Sequence, residues 1–144
     1  MAKDILVVDD ERDIREITSE ILNDEGFETR EAKDSTSALQ AVAAREPGLV
    51  LLDIWLQGSE LDGIGILREI KNAHPDVPVI MMSGHGTVET AVQAIKFGAY
   101  DFIEKPFTAD RLLLLIERAT EAAQLRRENA ELRVRAGTSL DLVG

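Results

Sequence analysis

Two short stretches, ILVVDD at residues 5–10 and LVLLD at residues 49–53, indicate the fold of this chain. Each has four apolar residues followed by aspartate, which is typical of a fully buried strand that ends at a polar residue. If the two strands lie side by side and parallel, the carboxylates of Asp9, Asp10 and Asp53 meet at one edge of the sheet. Three anions at such short range repel one another strongly, and a hard divalent cation bound by oxygen ligands would relieve that repulsion. The sequence therefore predicts a Mg²⁺ site at this edge.

Apolar runs alternate with helical stretches along the rest of the chain. The predicted strands are residues 5–8, 27–31, 49–52, 77–82 and 100–103, and the predicted helices are 11–23, 35–45, 63–73, 87–97 and a long final helix capped by Thr108. This alternation predicts a doubly wound α/β fold, with helices on both faces of a parallel sheet. The second strand is polar and belongs at an edge, which favours the flavodoxin-like order 2-1-3-4-5. Strands one and three are then neighbours, and ligands bind beyond their carboxyl ends.

Several local features of the helices follow from the pattern. In the first helix, an apolar stripe is expected to face the core, formed by Ile14, Ile17, Ile21 and Leu22. Ser35 and Thr87 are expected to cap the second and fourth helices. Gly26 and Gly98 are expected to end the first and fourth.

Composition excludes several classes of function. The net charge of −11 disfavours direct contact with nucleic acid or with anionic membranes, because both need clustered Lys and Arg. The chain has no cysteine, so thiolate catalysis and disulfides are impossible. The opening MAKDILVVDD has too short an apolar run for a signal peptide, and we expect a cytoplasmic protein.

Ser83 follows the fourth predicted strand and Lys105 follows the fifth, so both should lie on the same rim as the three aspartates. Together these groups suit phosphoryl transfer onto a carboxylate, with Asp53 as the nucleophile. Asp10 would bind Mg²⁺, with Asp9 holding Asp10 or a metal-bound water. The metal site would also include Asp53 and the main-chain carbonyl of Trp55. Lys105 and the Ser83 hydroxyl would contact the other phosphoryl oxygens.

Four stretches resemble the signatures of response-regulator receiver domains in order and spacing, over residues 4 to about 120. They are VVDD (residues 7–10), LLDIW (51–55), MMSGHG (81–86) and IEKPF (103–107). The sequences of the last two stretches are similar to those of the NtrC/NtrX branch, which serves nitrogen regulation. This resemblance implies phosphotransfer from a sensor histidine kinase to Asp53 with Mg²⁺, in a protein that is otherwise no enzyme. It also implies Ser83 as the switch hydroxyl, Phe102 as the switch aromatic and Lys105 as the phosphate-contacting lysine.

Two positions depart from the common receiver pattern. The switch aromatic is often Tyr, and Phe102 has no hydroxyl to anchor a rotamer. Trp55 is large for a site that water must enter, so we expect it to slow hydrolysis of an aspartyl phosphate. The exposed side of the first helix, around Glu11 and Arg15, is expected to help choose the kinase.

In this branch a receiver controls a σ54-type ATPase and a DNA-binding domain. The last residues, Leu142-Val143-Gly144, resemble the opening of that ATPase domain, so we expect a longer parent protein. The chain contains no GxxxxGK[ST] motif for binding ATP itself.

The final helix carries a coiled-coil pattern. Gaps of 3, 4, 3, 4 and 3 residues separate Leu115, Arg118, Ala122, Leu125, Asn129 and Leu132. Asn129 at an a position favours a parallel pair in register, and the flanking pairs Glu121 with Arg126 and Glu128 with Arg133 are oppositely charged. We expect a receiver at residues 1–120 and a helical dimerisation or linker segment at 121–144. A merely solvated linker helix is the alternative.

Three other functions fit the sequence less well. An aspartyl phosphatase of the haloacid-dehalogenase type needs a second Asp two residues after the nucleophile, where this chain has Trp55. A flavodoxin-like cofactor site would have to hold phosphate beside Asp9, Asp10 and Glu11, which would repel it. A receiver that is never phosphorylated and only contacts proteins would not need the full set of rim residues.

Overall fold

The computed structural model describes residues 4–56, 58–84 and 88–143, with side chains for all of these except 88, 127 and 130–143. Strands and helices alternate throughout this part of the chain. They are β1 (Asp4–Val8), α1 (Arg12–Asp24), β2 (Glu28–Ala32), α2 (Ser35–Ala44), β3 (Leu49–Asp53), α3 (Gly63–Ala73), β4 (Val79–Ser83), α4 (Val88–Lys96), β5 (Asp101–Glu104) and α5 (Ala109–Val143). The predicted alternation is confirmed.

The five strands form one parallel sheet in the order β2-β1-β3-β4-β5, as the flavodoxin-like prediction required. The polar strand β2 lies at an edge. Val8 of β1 pairs with Leu52 of β3, so the residues that follow the two strands emerge side by side. Asp53 at the end of β3 pairs with Met82 of β4, which brings the end of β4 to the same rim.

The core has two layers, one on each face of the sheet. Because side chains alternate along a strand, Leu6 and Val8 of β1 pack with α2, α3 and α4, whereas Ile5 and Val7 pack with α1 and α5. The strands β1 and β3 are therefore apolar on both faces, which explains their uninterrupted hydrophobic runs.

The predicted apolar stripe of α1 is wrong at Ile17. This side chain is 55% exposed, whereas the buried residues of the helix are Thr18, Ser19 and Leu22. Ile17 precedes Leu22 by five residues, which places it about 140° away around the helix axis. The inward face is more polar than the hydrophobic pattern suggested.

The predicted cap of α2 is also wrong by one residue. Asp34, not Ser35, is the N-cap: its Oδ1 accepts the backbone N–H of Ser37 at 2.9 Å, and the Ser37 side chain completes a capping box. Ser35 is buried and tied to the loop between β3 and α3, since its N–H donates to Ser59 Oγ (2.8 Å) and its Oγ accepts the N–H of Leu61 (3.2 Å).

Other helix ends agree with the sequence. Thr108 caps α5 by accepting the N–H of Arg111 at 3.2 Å. Gly26 and Gly98 follow α1 and α4 with φ of 90° and 110°, the left-handed conformation that favours glycine. Thr87, the predicted cap of α4, lies outside the described residues.

The helix α5 continues without a break past residue 120, the predicted end of the receiver, to Val143. Its buried stripe includes Leu112, Leu115, Ile116, Ala119 and Ala123. Leu115 therefore belongs to the core and cannot also join a dimer seam, so the predicted seam is wrong at that position. Leu125 is 58% exposed, and the side chain of Leu132 lies outside the described part of the chain. None of the described helices has both the length and the hydrophobicity to span a membrane.

Candidate functional site

Three carboxylates meet at the rim formed by the carboxyl ends of β1 and β3. Asp9 and Asp10 follow β1, Asp53 ends β3, and one oxygen from each lies within 4.8 Å of the others. Asp9 is fully buried, Asp53 is 6% exposed and Asp10 is half-buried. The predicted meeting of these residues is thus confirmed, and their oxygen-only donor set is of the kind that hard cations prefer.

Lys105 bridges two of the three carboxylates. Its Nζ lies 2.6 Å from Asp9 Oδ2 and 3.1 Å from Asp53 Oδ2, as expected from its position after β5. The backbone N–H of Lys105 donates to the carbonyl of Ser83 at 2.8 Å, which joins the ends of β5 and β4. One ammonium thus balances part of the charge of a buried anionic cluster.

The ionisation of the site reflects burial and close charges. Burial, followed by the negative charge of Asp9, raises the pKa of Asp53 to about 6, although Lys105 opposes the shift. Burial by itself would lower the pKa of Lys105, but its contacts with Asp9 and Asp53 outweigh this and raise it. Lys105 therefore remains a cation at neutral pH.

The remaining predicted residues lie around this cluster at different distances. Ser83 is fully buried at the end of β4, one residue after Met82, the sheet partner of Asp53, and its Oγ donates to the carbonyl of Gly84 at 3.3 Å. The backbone N–H of Trp55 donates to Asp53 Oδ1 at 3.4 Å, while its side chain is 58% exposed. Phe102 is half-buried on β5, against the core layer beneath α2–α4 rather than against the carboxylates.

Asp9 is held by hydrogen bonds to the backbone and to the side chain of Arg15. Its N–H donates to the carbonyl of Ala32 at 3.1 Å, and its Oδ1 accepts the N–H of Glu11 at 2.9 Å. The carbonyl oxygen of Asp9 accepts Nη1 of Arg15 at 2.7 Å. The acidic turn after β1 is consequently fixed both by the sheet and by α1.

Sequence reasoning missed this role of Arg15, which was expected on an exposed surface. The Arg15 side chain is only 15% exposed, and its Nε lies 3.4 Å from Glu31 Oε1. A signal was present, because Arg15 is three residues before Thr18 and seven before Leu22, on the inward face of α1. A cation on such a face indicates a buried partner.

Gly63 is a second residue whose importance sequence reasoning missed. A Cβ added at this first residue of α3 would lie 2.2 Å from the carbonyl oxygen of Asp53 and 2.7 Å from Cα of Ile54. The Gly63 N–H also donates to the Ile54 carbonyl at 2.9 Å. The start of α3 therefore packs directly on the backbone that carries Asp53, which only glycine permits.

With this geometry in place, a model of the response regulator receiver domain matches residues 5–117 of the chain. The chain belongs to this family. This membership is compatible with a receiver domain that is phosphorylated and with one that only contacts proteins.

Similar proteins place the receiver domain in the NtrC/NtrX-like branch. It is 61% identical over 133 residues to the nitrogen assimilation regulatory protein NtrX of Azorhizobium caulinodans, covering 92% of this chain and 29% of that protein. A crystal structure of NtrX from Brucella abortus has a TM-score of 0.90 at 63% identity, covering 94% of this chain and 30% of that one. The beryllofluoride-activated NtrC4 receiver domain dimer has a TM-score of 0.77 at 42% identity, covering 83% and 98%. The chain spans about 30% of the length of the NtrX proteins that it matches.

Proposed function

We propose that this receiver domain accepts a phosphoryl group on Asp53 from a sensor histidine kinase in the presence of Mg²⁺. The observation that carries the proposal is the contact of Asp53 with Lys105 (3.1 Å) within a cluster of three carboxylates. Phosphorylation would change the face formed by α4, β5 and α5, and with it the association of two receivers. Catalysis would be limited to this transfer and to hydrolysis of the product.

The residues present fit a magnesium ion. Asp9, Asp10 and Asp53 supply only oxygen donors, and Mg²⁺ needs few protein ligands because it keeps several waters. The Trp55 carbonyl would be a further ligand. When bound, the ion supplies positive charge that neutralises the charge building up on the transferred group.

The chain's own residues account for the rest of the transfer. An Asp53 carboxylate oxygen forms the new bond to phosphorus while the bond from phosphorus to the kinase histidine nitrogen breaks, and that nitrogen keeps the electron pair and takes up a proton from solvent. Lys105, kept protonated by its carboxylate neighbours, is placed to neutralise a phosphoryl oxygen. The Ser83 hydroxyl would donate a hydrogen bond to another phosphoryl oxygen.

The switch would link this chemistry to the surface through β4 and β5. A phosphoryl group adds about −1.5 to −2 charges, which would draw Ser83 toward Asp53. Phe102 is half-buried and lines a surface cavity of about 430 Å³ together with Pro106 and Phe107, so a change of its rotamer would alter this part of the surface. A shift in the population of two states is enough to change the face.

Exposed apolar residues on this face support association of two receivers. Val92 and Ile95 of α4 and Leu114 of α5 are all more than 40% exposed. The NtrC4 receiver similar to this chain was solved as a beryllofluoride-activated dimer. We infer a homodimer that uses the α4–β5–α5 face, continued by residues of α5 beyond 120.

The proposal is tested with a small phosphoryl donor. Incubation with acetyl phosphate and Mg²⁺ should add the mass of one phosphoryl group to the intact protein, and chelation of Mg²⁺ should prevent it. Asp53→Asn should abolish the addition. Asp62 is the N-cap of α3 and is not part of the carboxylate cluster, so Asp62→Asn should not abolish it. Labelling of Asp53→Asn at the wild-type rate would refute the proposal.

A further inference from the structure

Arg15 joins the acidic turn after β1 to helix α1 by two contacts. Its Nη1 donates to the carbonyl oxygen of Asp9 at 2.7 Å, and its Nε lies 3.4 Å from the carboxylate of Glu31 on β2. With a side chain 15% exposed, the guanidinium is far more enclosed than that of Arg12, which is 80% exposed and pairs with Glu16. Arg15 is thus held in an enclosed position by fixed partners, whereas Arg12 forms a surface ion pair.

The Asp9 carbonyl belongs to the peptide that leads into Asp10. A peptide unit is planar, so fixing its oxygen fixes the orientation of the bond to Asp10. The N–H of Asp9 is fixed at the same time by Ala32, and its side chain by Glu11 and Lys105. The one remaining backbone group of Asp9 is therefore the carbonyl that Arg15 holds, and this carbonyl belongs to the peptide bond that leads to the half-buried Asp10.

We propose that Arg15 is a positioning residue for the magnesium site: by holding the Asp9 carbonyl, it sets the direction from which the Asp10 carboxylate meets the ion. This inference rests on the proposed Mg²⁺ site. It assigns Arg15 no contact with the metal or the phosphoryl group. Glu31 keeps the guanidinium in place from the other side.

Positioning and simple electrostatics predict opposite signs for the loss of Arg15. Arg15 is a cation close to a cation site, so if charge alone mattered, its removal would tighten Mg²⁺ binding. If Arg15 positions the ligand, its removal weakens binding, and the loss of an outer contact of this kind typically costs about 10–100-fold in metal affinity. The direction of the change is therefore diagnostic.

The experiment titrates MgCl2 alone into the metal-free protein. Binding is read by fluorescence of Trp55, the single tryptophan, and independently by calorimetry. Arg15→Ala should weaken the Mg²⁺ Kd about 10–100-fold. Arg15→Lys keeps the charge but cannot hold Asp9 and Glu31 with one planar group, so its Kd should lie in between. Arg12→Ala removes the same charge from the same helix and should not weaken binding.

Urea unfolding of each variant without metal separates an effect on stability from an effect on metal affinity. If Arg15→Ala does not fold, Mg²⁺ binding by Arg15→Lys is the test. Unchanged or tighter Mg²⁺ binding in both Arg15 variants, with wild-type protein that binds normally, would overturn this inference alone. Wild-type protein that gives no response to Mg²⁺ by either method would overturn the proposed site and this inference together. Equal weakening in Arg12→Ala would assign the effect to a general disturbance of α1 rather than to the contact with Asp9, and would also overturn it.

Discussion

At the scale of single residues, Lys105 makes the buried acidic cluster tolerable. Two carboxylates that are nearly inaccessible to water, Asp9 and Asp53, would repel each other strongly without a cation between them. Burial, followed by the charge of Asp9, nonetheless raises the pKa of Asp53 to about 6, and the three clustered carboxylates share the single ammonium of Lys105. This residual imbalance is the physical reason why the site suits a divalent cation.

Trp55 is the residue whose removal should change the lifetime of an aspartyl phosphate. Its backbone is within hydrogen-bond distance of Asp53, while its indole is 58% exposed, so truncation should cost little stability. We expect the indole to restrict the approach of water, so Trp55→Ala should lose the phosphoryl group severalfold faster than wild-type protein. Intact mass measured over time after removal of the donor gives the rate. Trp55→Phe keeps an aromatic screen and should lie closer to wild type, and an unchanged rate in Trp55→Ala would contradict this role.

At the scale of secondary-structure elements, the cap of α2 should make stability depend on pH. The N–H of Ser37, followed by its hydroxyl, holds the pKa of Asp34 below its usual value of 3.8. Because the folded-state pKa is lowered, the contribution is fully present above pH 3.8 and is lost as pH falls through the folded value. Asp34→Ala should therefore be less stable than wild type near neutral pH, with the difference shrinking in acid.

Urea unfolding across this pH range measures the effect. Thr36→Ala, an exposed position in the first turn of the same helix, is the matched control. A destabilisation by Asp34→Ala that stays constant down to the lowest pH at which the protein is folded would contradict the capping explanation.

Arg30 on the edge strand β2 supplies several side-chain contacts from that strand to β1 and to the α2 region. Its guanidinium donates to both oxygens of Asp4 (3.1 and 2.6 Å) and to the carbonyls of Ala41 (2.6 Å) and Arg45 (2.8 Å). Arg30→Ala leaves a mostly buried Asp4 with fewer partners, so we expect a loss of about 2–4 kcal/mol in the free energy of unfolding. Arg12→Ala, which breaks only an exposed ion pair, should be indistinguishable from wild type. Equal effects of the two substitutions would argue against the network.

Elements were predictable where one physical signal dominates. The apolar runs of β1 and β3 and the bounds of α3 follow from the hydrophobic pattern alone. Ile17 and Leu115 were placed wrongly because periodicity gives the spacing of a stripe but not which of two adjacent stripes faces the sheet. Asp34 and Ser35 both suit an N-cap, and the contact of Ser35 with Ser59 in a distant loop, which no local rule contains, resolves the choice.

At the scale of the whole molecule, the strand order was predictable because a polar strand must take an edge and parallel crossovers are right-handed. That order alone brings Asp9, Asp10, Asp53, Ser83 and Lys105 to one rim, so most of the site followed from topology. The contact of Arg15 with the Asp9 carbonyl did not follow, because it depends on how α1 packs. Sequence patterns predicted the reacting groups better than the residues that hold them.

The whole receiver should dimerise more strongly when its site carries a phosphoryl mimic. Beryllofluoride with Mg²⁺ should raise the mass measured by light scattering at tens of micromolar protein. Leu114→Glu, on the α4–β5–α5 face, should reduce the dimer by placing a charge in an apolar contact. Ile17→Glu, at an exposed apolar position on α1, should not. A strictly monomeric wild-type protein with and without the mimic would contradict the proposed dimer.

The most direct measurement is the chemical identity of the modified residue. Protein treated with acetyl phosphate and Mg²⁺ is reduced with borohydride, which converts an aspartyl phosphate to homoserine, and its peptides are sequenced by mass spectrometry. We expect homoserine at position 53 and at no other aspartate, with none formed when Mg²⁺ is chelated. Homoserine at Asp9 or Asp10 instead, or its equal formation without Mg²⁺, would contradict a metal-assisted phosphoacceptor at Asp53.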